Sequence, residues 1–322
     1  MGSLTLLVLA DPADPHLRLL ERLPEETRIA AGRLPEAFES AAPETDVILS
    51  WFASRELLEQ VWRMAPRVRW VHSASAGVEN VLFPALVESP VPVTNSRGLF
   101  SRVLAEFAMA AVLYFAKDLR RMVLSQEAGL WNPFDIEEIH GRWLGIVGYG
   151  DIGRVVADRA RAFGMRVAAL RRRPELASGD PLVERVFSPQ QRLEMLALAD
   201  YVVVATPLTP ETLGLIGEAE LRAMKSSAVL INIGRGPVVD EAALARALKE
   251  NRVRGAALDV FDTEPLPPGH PFYKLDNVLL SPHCADHFPG WMERAMELFL
   301  ENFERFRLGE PLRNLVDKRQ GY

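Results

Sequence analysis

Residues 143–153 read WLGIVGYGDIG. The apolar run at the start predicts a buried strand, and DIGRVVADRARAF, from Asp151 onward, predicts the helix that follows it. Gly148, Gly150 and Gly153 form a G-x-G-x-x-G pattern: the first permits a tight turn, the second lets a pyrophosphate approach the backbone, and the third allows close helix–strand packing. This context favours a dinucleotide site over a glycine-rich turn without a ligand. The first helical residues, Asp151 and Ile152, would then face the phosphates.

Similar short apolar runs alternate with helical patterns along the rest of the chain, which predicts an α/β fold with parallel sheets. Around the glycine loop, six strands are predicted at 143–148, 165–170, 200–205, 228–233, 254–259 and 277–281. Upstream, four more are predicted at 5–11, 46–52, 69–75 and 91–96. We therefore expect two doubly wound parallel-sheet domains, Rossmann-like or flavodoxin-like, with a cleft between them.

Two helical segments set the predicted domain boundaries. Residues 101–124 are predicted to form one long helix that is apolar nearly all round, which indicates burial between domains or subunits. Residues 290–310 are predicted to form an amphipathic helix after the last strand. The simplest division is a discontinuous substrate-binding domain, residues 1–98 plus 285–322, and an inserted dinucleotide-binding domain, residues 99–284.

Composition narrows the class of protein. The chain has 322 residues, a net charge of -6 and one cysteine, Cys284. The acidic balance argues against a nucleic-acid partner, and the single cysteine fits a reducing compartment. The N-terminal apolar run is too short for a signal or membrane segment, so we expect a cytoplasmic protein with no membrane partner.

The segment VAALRRRPE, residues 167–175, ends the second strand of the glycine-loop domain in three arginines. An NAD site has an acidic residue at this point, where it binds the ribose hydroxyls. Here the position is Arg171, and a guanidinium pairs with a phosphate. The segment therefore predicts a preference for NADP, with Arg171 and Arg172 as the contacts and Arg173 toward solvent. A solvated basic loop is the alternative, and NAD stays a possible cofactor.

Three further segments run off predicted strand ends: INIGRGPVVDE, ALDVFDTEPLP and NVLLSPHCADH. They supply Arg235, Glu264 and His283. Together these residues offer a permanent cation for a carboxylate, a carboxylate that orients an imidazole and stabilises its protonated form, and the imidazole that moves a proton. The carboxyl ends of parallel strands are where open α/β sheets place ligands.

At these residues the chain resembles the D-2-hydroxyacid dehydrogenase family, over roughly residues 70 to 310. GIVGYGDIG, ADYVVVATPLTPET, MKSSAVLINIGRG, GAALDVFDTEPLP and NVLLSPH occur in the order and approximate spacing of the family. The likeness is to NADP-type glyoxylate and hydroxypyruvate reductases. It implies that Arg235 binds the substrate carboxylate and carbonyl, that His283 is the general acid/base and that Glu264 is its partner.

The resemblance also assigns residues around the cofactor and substrate. The loop SAGVEN, residues 75–80, looks like the substrate loop, in which the backbone N–H groups of Ala76 and Gly77 hold the carboxylate. The implied cofactor contacts are Thr206 and Pro207 beneath the cofactor, Ile233 and Gly234 beside the nicotinamide, Asp259 at its carboxamide, and His283.

Several residues have competing interpretations. His283, Cys284, Asp286 and His287 could ligate a metal, but a closed zinc site draws on well-separated ligand pairs, so we expect none. Cys284 is interpreted as a small packing residue because no separate activating base is evident. Trp51 and Phe52, at the end of DVILSWF, either contact the substrate or pack in the core.

The sequence thus predicts an NADP-preferring oxidoreductase that transfers a hydride between nicotinamide and C2 of a small 2-oxo or 2-hydroxy acid. The family resemblance implies the D configuration. The apolar helix 101–124, with Trp131 beyond it, predicts a homodimer. The alternative from another class is a redox-sensing scaffold that binds NAD(P)H without turnover, and an intact set of Arg235, Glu264 and His283 argues against it.

Overall fold

A computed structural model describes residues 3–322. The chain divides into two compact units: residues 3–99 with Phe288–Tyr322, and Phe100–His287. The chain leaves the first unit after Leu99 and returns to it at Phe288. The ligand that each unit binds stays a prediction.

Each unit is built on one parallel sheet. The strands of the first sheet are β1 (Thr5–Leu9), β2 (Arg28–Gly32), β3 (Val47–Ser50), β4 (Trp70–Ser73) and β5 (Val93–Thr94), in the order β2-β1-β3-β4-β5. Those of the second are β6 (Trp143–Val147), β7 (Arg166–Leu170), β8 (Arg185–Phe187), β9 (Tyr201–Val204), β10 (Val229–Asn232), β11 (Gly255–Leu258) and β12 (Val278–Leu280), in the order β12-β11-β10-β9-β6-β7-β8. The predicted fold class, α/β with two parallel sheets, is confirmed.

Nine α-helices accompany the two sheets in the described part of the chain. They are α1 (Arg55–Met64), α2 (Pro84–Glu88), α3 (Ser101–Ala116), α4 (Leu119–Glu127), α5 (Asp151–Ala162), α6 (Arg192–Leu198), α7 (Glu218–Ala223), α8 (Glu241–Lys249) and α9 (Trp291–Leu308). Within residues 3–322, none of the helices is both long enough and apolar enough to cross a membrane.

Strand β1 shows why its sheet is buried on both faces. Successive side chains of a strand point to opposite faces. Leu7 and Leu9 pack into a core with Phe38, whereas Leu6 and Val8 pack into a second core. That second core includes aromatic residues of α9, so the C-terminal helix completes the first unit.

Two strands were not predicted, β2 and β8, and the second sheet therefore has seven strands rather than six. Both lie at a sheet edge, where a strand has one neighbour and is partly exposed. β2 is exposed at its first two residues, and β8 has only three residues. Neither carries the continuous apolar run that marks a buried parallel strand.

The single helix predicted over 101–124 is wrong, because the structure has two helices there. α3 ends at Ala116, and Asp118 has a left-handed backbone with φ 47° before α4 begins. α3 buries nine residues, whereas among the nine described residues of α4 none is buried. α4 is therefore not buried within this chain, and burial of the segment between domains or subunits stays a prediction.

Candidate active site

The glycine loop lies where the strand order of the second sheet reverses. β6 has β9 on one side and β7 on the other. In open α/β sheets this switch point, at the carboxyl ends of the strands, is where ligands bind. The loops after β6 and β9 are in direct contact there, since a methyl group at Gly148 would lie 2.8 Å from the Thr206 backbone nitrogen.

The three glycines of the loop differ in what surrounds them. Gly148 has φ +97°, a conformation that L side chains rarely adopt. A methyl group at Gly153 would clash with the Gly148 carbonyl oxygen, so this glycine lets α5 pack against the loop. A methyl group at Gly150 would meet no atom within 4 Å, which leaves open space at the start of α5. That space is suited to a ligand that approaches the backbone closely.

Helix α5 begins at Asp151 and Ile152 with Gly150 as its N-cap, and the N-cap makes no side-chain capping hydrogen bond. A helix start of this kind favours an anionic ligand. Nearby, the hydroxyl oxygen Oγ1 of Thr206 is buried and has no hydrogen-bond partner among the described residues. A buried polar atom without a partner is costly, so a ligand that supplies one fits here. The residues thus fit a phosphate-bearing dinucleotide.

The arginine run begins directly after β7. Arg171 is half-buried, its backbone N–H donates to the Phe187 carbonyl at 3.1 Å, and its Nη1 donates to the Leu176 carbonyl at 3.4 Å. Arg172 and Arg173 are exposed. The backbone bond to the end of β8 fixes where Arg171 leaves the sheet.

A network that sequence reasoning missed ties the segment after the arginines to the glycine loop. Oδ2 of Asp180 accepts from the Tyr149 hydroxyl at 3.0 Å and from Nε of Arg154 at 2.9 Å, and Oδ1 accepts from the Leu182 backbone N–H at 3.1 Å. Burial alone would raise the pKa of Asp180, but these hydrogen bonds outweigh burial and lower it. No motif in the sequence marks this pairing, because it joins side chains about thirty positions apart.

His283 and Glu264 form the central pair of the site. Nδ1 of His283 lies 2.6 Å from Oε2 of Glu264, and Oε1 of Glu264 accepts from the Phe261 backbone N–H at 2.9 Å. The carboxylate is therefore held at both oxygens. With Nδ1 engaged, Nε2 is the ring atom that can exchange a proton with a ligand.

Asp259 builds the turn that presents His283. It is 1 % exposed, and its backbone carbonyl accepts from the His283 N–H at 2.9 Å. Its Oδ1 accepts from the Ser281 hydroxyl at 2.6 Å and from the backbone N–H groups of Cys284 and Ala285 at 3.0 and 3.1 Å. Sequence reasoning missed this structural role and assigned Asp259 only to the cofactor carboxamide, which stays a prediction.

The loop after β10 carries Ile233, which is buried, and Arg235, which is half-buried. Asn232 braces this loop: its Oδ1 accepts from the Gly234 N–H at 3.1 Å, and its Nδ2 donates to the Arg235 carbonyl at 3.0 Å. A methyl group at Gly236 would clash with the Phe261 carbonyl group. The loops after β10 and β11 are therefore in contact, which places Arg235 in the same group of loops as the histidine pair.

The loop after β9 contributes Thr206 and Pro207. A methyl group at Gly234 would lie 2.8 Å from the Thr206 carbonyl oxygen, so the loops after β9 and β10 also touch. Pro207 is half-buried, and its carbonyl accepts from the Thr212 hydroxyl at 2.7 Å. In the second unit, the glycine loop, Arg235, Glu264 and His283 thus all lie in loops at the carboxyl ends of the strands.

The predicted substrate loop lies in the first unit. Ala76 and Gly77 follow β4 and are half-buried. The Ala76 carbonyl accepts from Nδ2 of Asn95 at 2.6 Å. Their proposed contact with a carboxylate stays a prediction.

Of the two interpretations of Trp51, packing agrees with its surroundings. Trp51 is 4 % exposed, belongs to a core of the first unit, and its indole N–H donates to Oδ2 of Asp14 at 2.9 Å. A contact of Trp51 with the substrate stays a prediction. Phe52 is 43 % exposed and meets the Trp291 ring edge to face, with the ring centroids 5.4 Å apart.

The segment after His283 differs from the expectation in one respect. Cys284 is exposed, so it is not the packing residue that the sequence indicates. Burial raises the pKa of the Asp286 carboxyl, and the charge of Asp259 adds to this effect. Among residues 3–322, no group of three His, Cys, Asp or Glu side chains is arranged to hold a metal ion.

Comparison with known proteins identifies the family. The family model described as "D-isomer specific 2-hydroxyacid dehydrogenase, NAD binding domain" matches residues 109–285. A glyoxylate reductase of Thermococcus gammatolerans is 35% identical over 310 residues, which cover 93% of this chain and 90% of that protein. The chain belongs to the D-isomer-specific 2-hydroxyacid dehydrogenase family. It is therefore an oxidoreductase that uses a nicotinamide cofactor.

Further relatives and solved structures are consistent with this family. A glyoxylate reductase of Korarchaeum cryptofilum is 39% identical over 271 residues, with 80% of this chain and 79% of that protein covered. A D-isomer specific 2-hydroxyacid dehydrogenase of Xanthobacter autotrophicus Py2, solved with NADPH and MES, superposes over 100% of both chains with a TM-score of 0.85 and 32% identity. An NADPH-dependent glyoxylate/hydroxypyruvate reductase of Sinorhizobium meliloti, solved with NADP and sulfate, gives a TM-score of 0.84 at 26% identity, with 100% of both chains covered.

Proposed function

We propose that this dehydrogenase reduces small 2-oxoacids, of the glyoxylate and hydroxypyruvate class, to D-2-hydroxyacids, and that it prefers NADPH to NADH. The hydrogen-bonded pair of His283 and Glu264 carries the proposal, with Nδ1 and Oε2 2.6 Å apart. An imidazole held in this way is a positioned general acid. The relatives named glyoxylate reductase and the glyoxylate/hydroxypyruvate reductase of Sinorhizobium support the substrate class.

Each residue of the site has a defined task in this proposal. Arg235 binds the substrate carboxylate with a permanent positive charge. Protonated His283 donates from Nε2 to the carbonyl oxygen at C2, and Glu264 orients the ring. The backbone N–H groups of Ala76 and Gly77 bind the carboxylate. When bound, the reduced nicotinamide supplies the hydride that C2 receives.

The cofactor is assigned to residues around the switch point. The proposed contacts are Gly148, Gly150, Asp151, Ile152 and Gly153 at the pyrophosphate, Thr206, Pro207, Ile233 and Gly234 along the dinucleotide, and Asp259 at the carboxamide. Arg171 and Arg172 are proposed to bind the 2′-phosphate of NADPH. The NADPH and NADP in the Xanthobacter and Sinorhizobium structures support this assignment.

One assay tests the function. NADPH oxidation is followed by absorbance with glyoxylate, hydroxypyruvate, pyruvate and phenylpyruvate, each repeated with NADH. We expect turnover with at least one small 2-oxoacid and a lower KM for NADPH. Chiral chromatography of the product should show the D isomer. Flat traces with every acid, together with tight NADPH binding, would overturn the proposal in favour of a non-catalytic scaffold.

A further inference from the structure

The loop after β4 is held at two consecutive carbonyl groups. The Ser96 backbone N–H donates to the Ser75 carbonyl at 3.1 Å, and Nδ2 of Asn95 donates to the Ala76 carbonyl at 2.6 Å. Asn95 is 3 % exposed. Its bond to Ala76 is therefore shielded from competition by water.

These two hydrogen bonds fix the direction of the N–H groups at the other ends of the same peptides. Among residues 3–322, the one cis peptide bond is Glu264–Pro265, so the peptides that join Ser75, Ala76 and Gly77 are trans. In a trans peptide the C=O and N–H groups point in opposite directions. The bond to Ser75 thus directs the Ala76 N–H, and the bond to Ala76 directs the Gly77 N–H. When the carbonyl of a peptide group accepts a hydrogen bond, the N–H of the same peptide group becomes a stronger donor.

The side chain of Asn95 is itself fixed. Its Oδ1 accepts from the Arg97 backbone N–H at 3.2 Å, which sets which end of the amide faces Ala76. Its backbone N–H donates to the Asn314 carbonyl at 3.3 Å, and its carbonyl accepts from Nδ2 of Asn314 at 3.1 Å. Asn314, in the C-terminal segment, therefore holds the backbone of Asn95 in place.

We propose that Asn95 is a positioning residue for the substrate carboxylate, because its side-chain amide sets the Ala76–Gly77 peptide so that the Gly77 N–H faces the ligand. The Ser75 contact is made by backbone atoms, so only the Asn95 contact depends on a side chain. The inference rests on the proposed function, in which Ala76 and Gly77 bind the carboxylate. It adds Asn95, a residue outside the substrate loop, as the group that orients the loop for this binding.

Asn302 provides a matched control. It is a buried asparagine of the same unit, its Nδ2 donates to the Arg313 carbonyl at 3.1 Å, and its Oδ1 accepts from the Arg313 N–H at 2.8 Å. Asn95→Ala and Asn302→Ala thus remove the same kind of hydrogen bonds at different places. A third variant, Asn95→Asp, retains an oxygen for the Arg97 N–H but has no donor for Ala76.

The experiment measures kcat and the glyoxylate KM for each variant, and the Kd of oxamate, an unreactive analogue, for the NADPH-saturated enzyme by calorimetry. For Asn95→Ala and Asn95→Asp we expect the KM and the oxamate Kd to rise about tenfold or more, because a hydrogen bond to a charged group is weakened. The kcat should change by less than about threefold. The reason is that the carboxylate contact stabilises the bound substrate and the transition state equally, so its loss raises KM and leaves the barrier between them unchanged. The Kd of NADPH should not change.

Asn302→Ala should lower the thermal midpoint as Asn95→Ala does, and leave the KM and the oxamate Kd at their wild-type values. Equal effects of the two Ala variants on the KM and the oxamate Kd would overturn the role of Asn95 and leave the proposed function standing. A wild-type enzyme that neither reduces any 2-oxoacid nor binds oxamate would overturn the proposed function, and the inference with it.

Discussion

Oε2 of Glu264 lies 2.6 Å from Nδ1 of His283, and the other oxygen of the same carboxylate accepts the Phe261 N–H. The histidine ring therefore has a carboxylate partner that is itself anchored to the backbone. A ring held in this way keeps one nitrogen directed away from its partner, where proton transfer takes place. The two residues have different roles, so their replacement should have different kinetic effects.

Replacing His283 with alanine should slow the reduction of glyoxylate, with kcat lowered by roughly 10²- to 10⁴-fold, the usual range for loss of a general acid. NADPH binding should be largely preserved, because most of the proposed cofactor contacts, the glycine loop among them, do not involve this side chain. Stopped-flow measurement of a single turnover and fluorescence titration of NADPH check the two expectations. A kcat within tenfold of the wild-type value would contradict the assignment.

Replacing Glu264 with glutamine should lower kcat/KM by roughly tenfold or more, because the carboxylate that orients the His283 ring and favours proton transfer is replaced by a neutral amide. The check is kcat/KM for glyoxylate in both enzymes at the same pH and ionic strength. A value for the variant within about twofold of the wild-type value would mean that Glu264 does not assist proton transfer.

His72 predicts a dependence of stability on pH. It is fully buried on β4, its Nδ1 lies 2.7 Å from the Thr94 hydroxyl oxygen, and burial lowers its pKa to about 3. The unfolded chain takes up a proton on this residue below its ordinary value of about 6.5, whereas the folded chain does not until the pH approaches 3. The contribution of neutral His72 to the free energy of unfolding is therefore fully present above about pH 6.5. It is lost progressively as the pH decreases from about 6.5 toward 3.

The loss attributable to His72 should be roughly 1.5 kcal/mol between pH 6.5 and pH 5. Urea unfolding of wild type and His72→Asn at both pH values isolates this contribution, because the other titrating groups are common to the two proteins. The variant should show the smaller decrease in stability. An equal decrease in both would indicate that His72 is protonated in the folded protein.

The exposed apolar residues after α3 support the proposal of a homodimer. Leu119, Met122, Val123 and Leu124 of α4 are all exposed, and Trp131 is 97 % exposed. Exposed apolar side chains concentrated in one segment are a common feature of protein interfaces. Light scattering should give twice the chain mass, and Val123→Asp with Leu124→Asp should give a monomer. A wild-type monomer at micromolar concentration would contradict the proposal.

Much of this molecule follows from its sequence because buried parallel strands are continuous apolar runs. TLLVL and WLGIV, for example, are recognisable without any partner. The edge strands β2 and β8 carry no such run. The break at Asp118 has no proline or glycine that would mark it in the sequence.

The site divides in the same way. Arg235 and His283 could be predicted as site residues because both follow strands, and parallel strands end on the same side of a sheet. Their roles stay predictions. The supporting contacts of Asp180 and Asn95 were not found, since each joins segments that are distant in sequence. Trp51 is ambiguous for another reason: its position at a strand end fits a pocket, while its hydrogen bond to Asp14 and its burial fit core packing.

Arg171 should determine which cofactor the enzyme prefers. A hydrogen bond between a guanidinium and a phosphate contributes on the order of 1.5–3 kcal/mol, so Arg171 should favour NADPH over NADH by about 10- to 100-fold in cofactor KM. Both cofactors share the pyrophosphate and nicotinamide contacts, so kcat should differ little. Arg171→Asp should reverse the preference, because it repels the 2′-phosphate and restores an acceptor for the ribose hydroxyls.

Arg173→Asp is the matched control, since it introduces the same charge two positions away on an exposed side chain. It should change the ratio of the two KM values much less than Arg171→Asp does. Raising the ionic strength should weaken NADPH binding more than NADH binding in the wild type, because only NADPH depends on the additional charge pair. In Arg171→Asp this difference in salt dependence should shrink. Equal use of NADH and NADPH by the wild-type enzyme would show that the three arginines are ordinary surface charges.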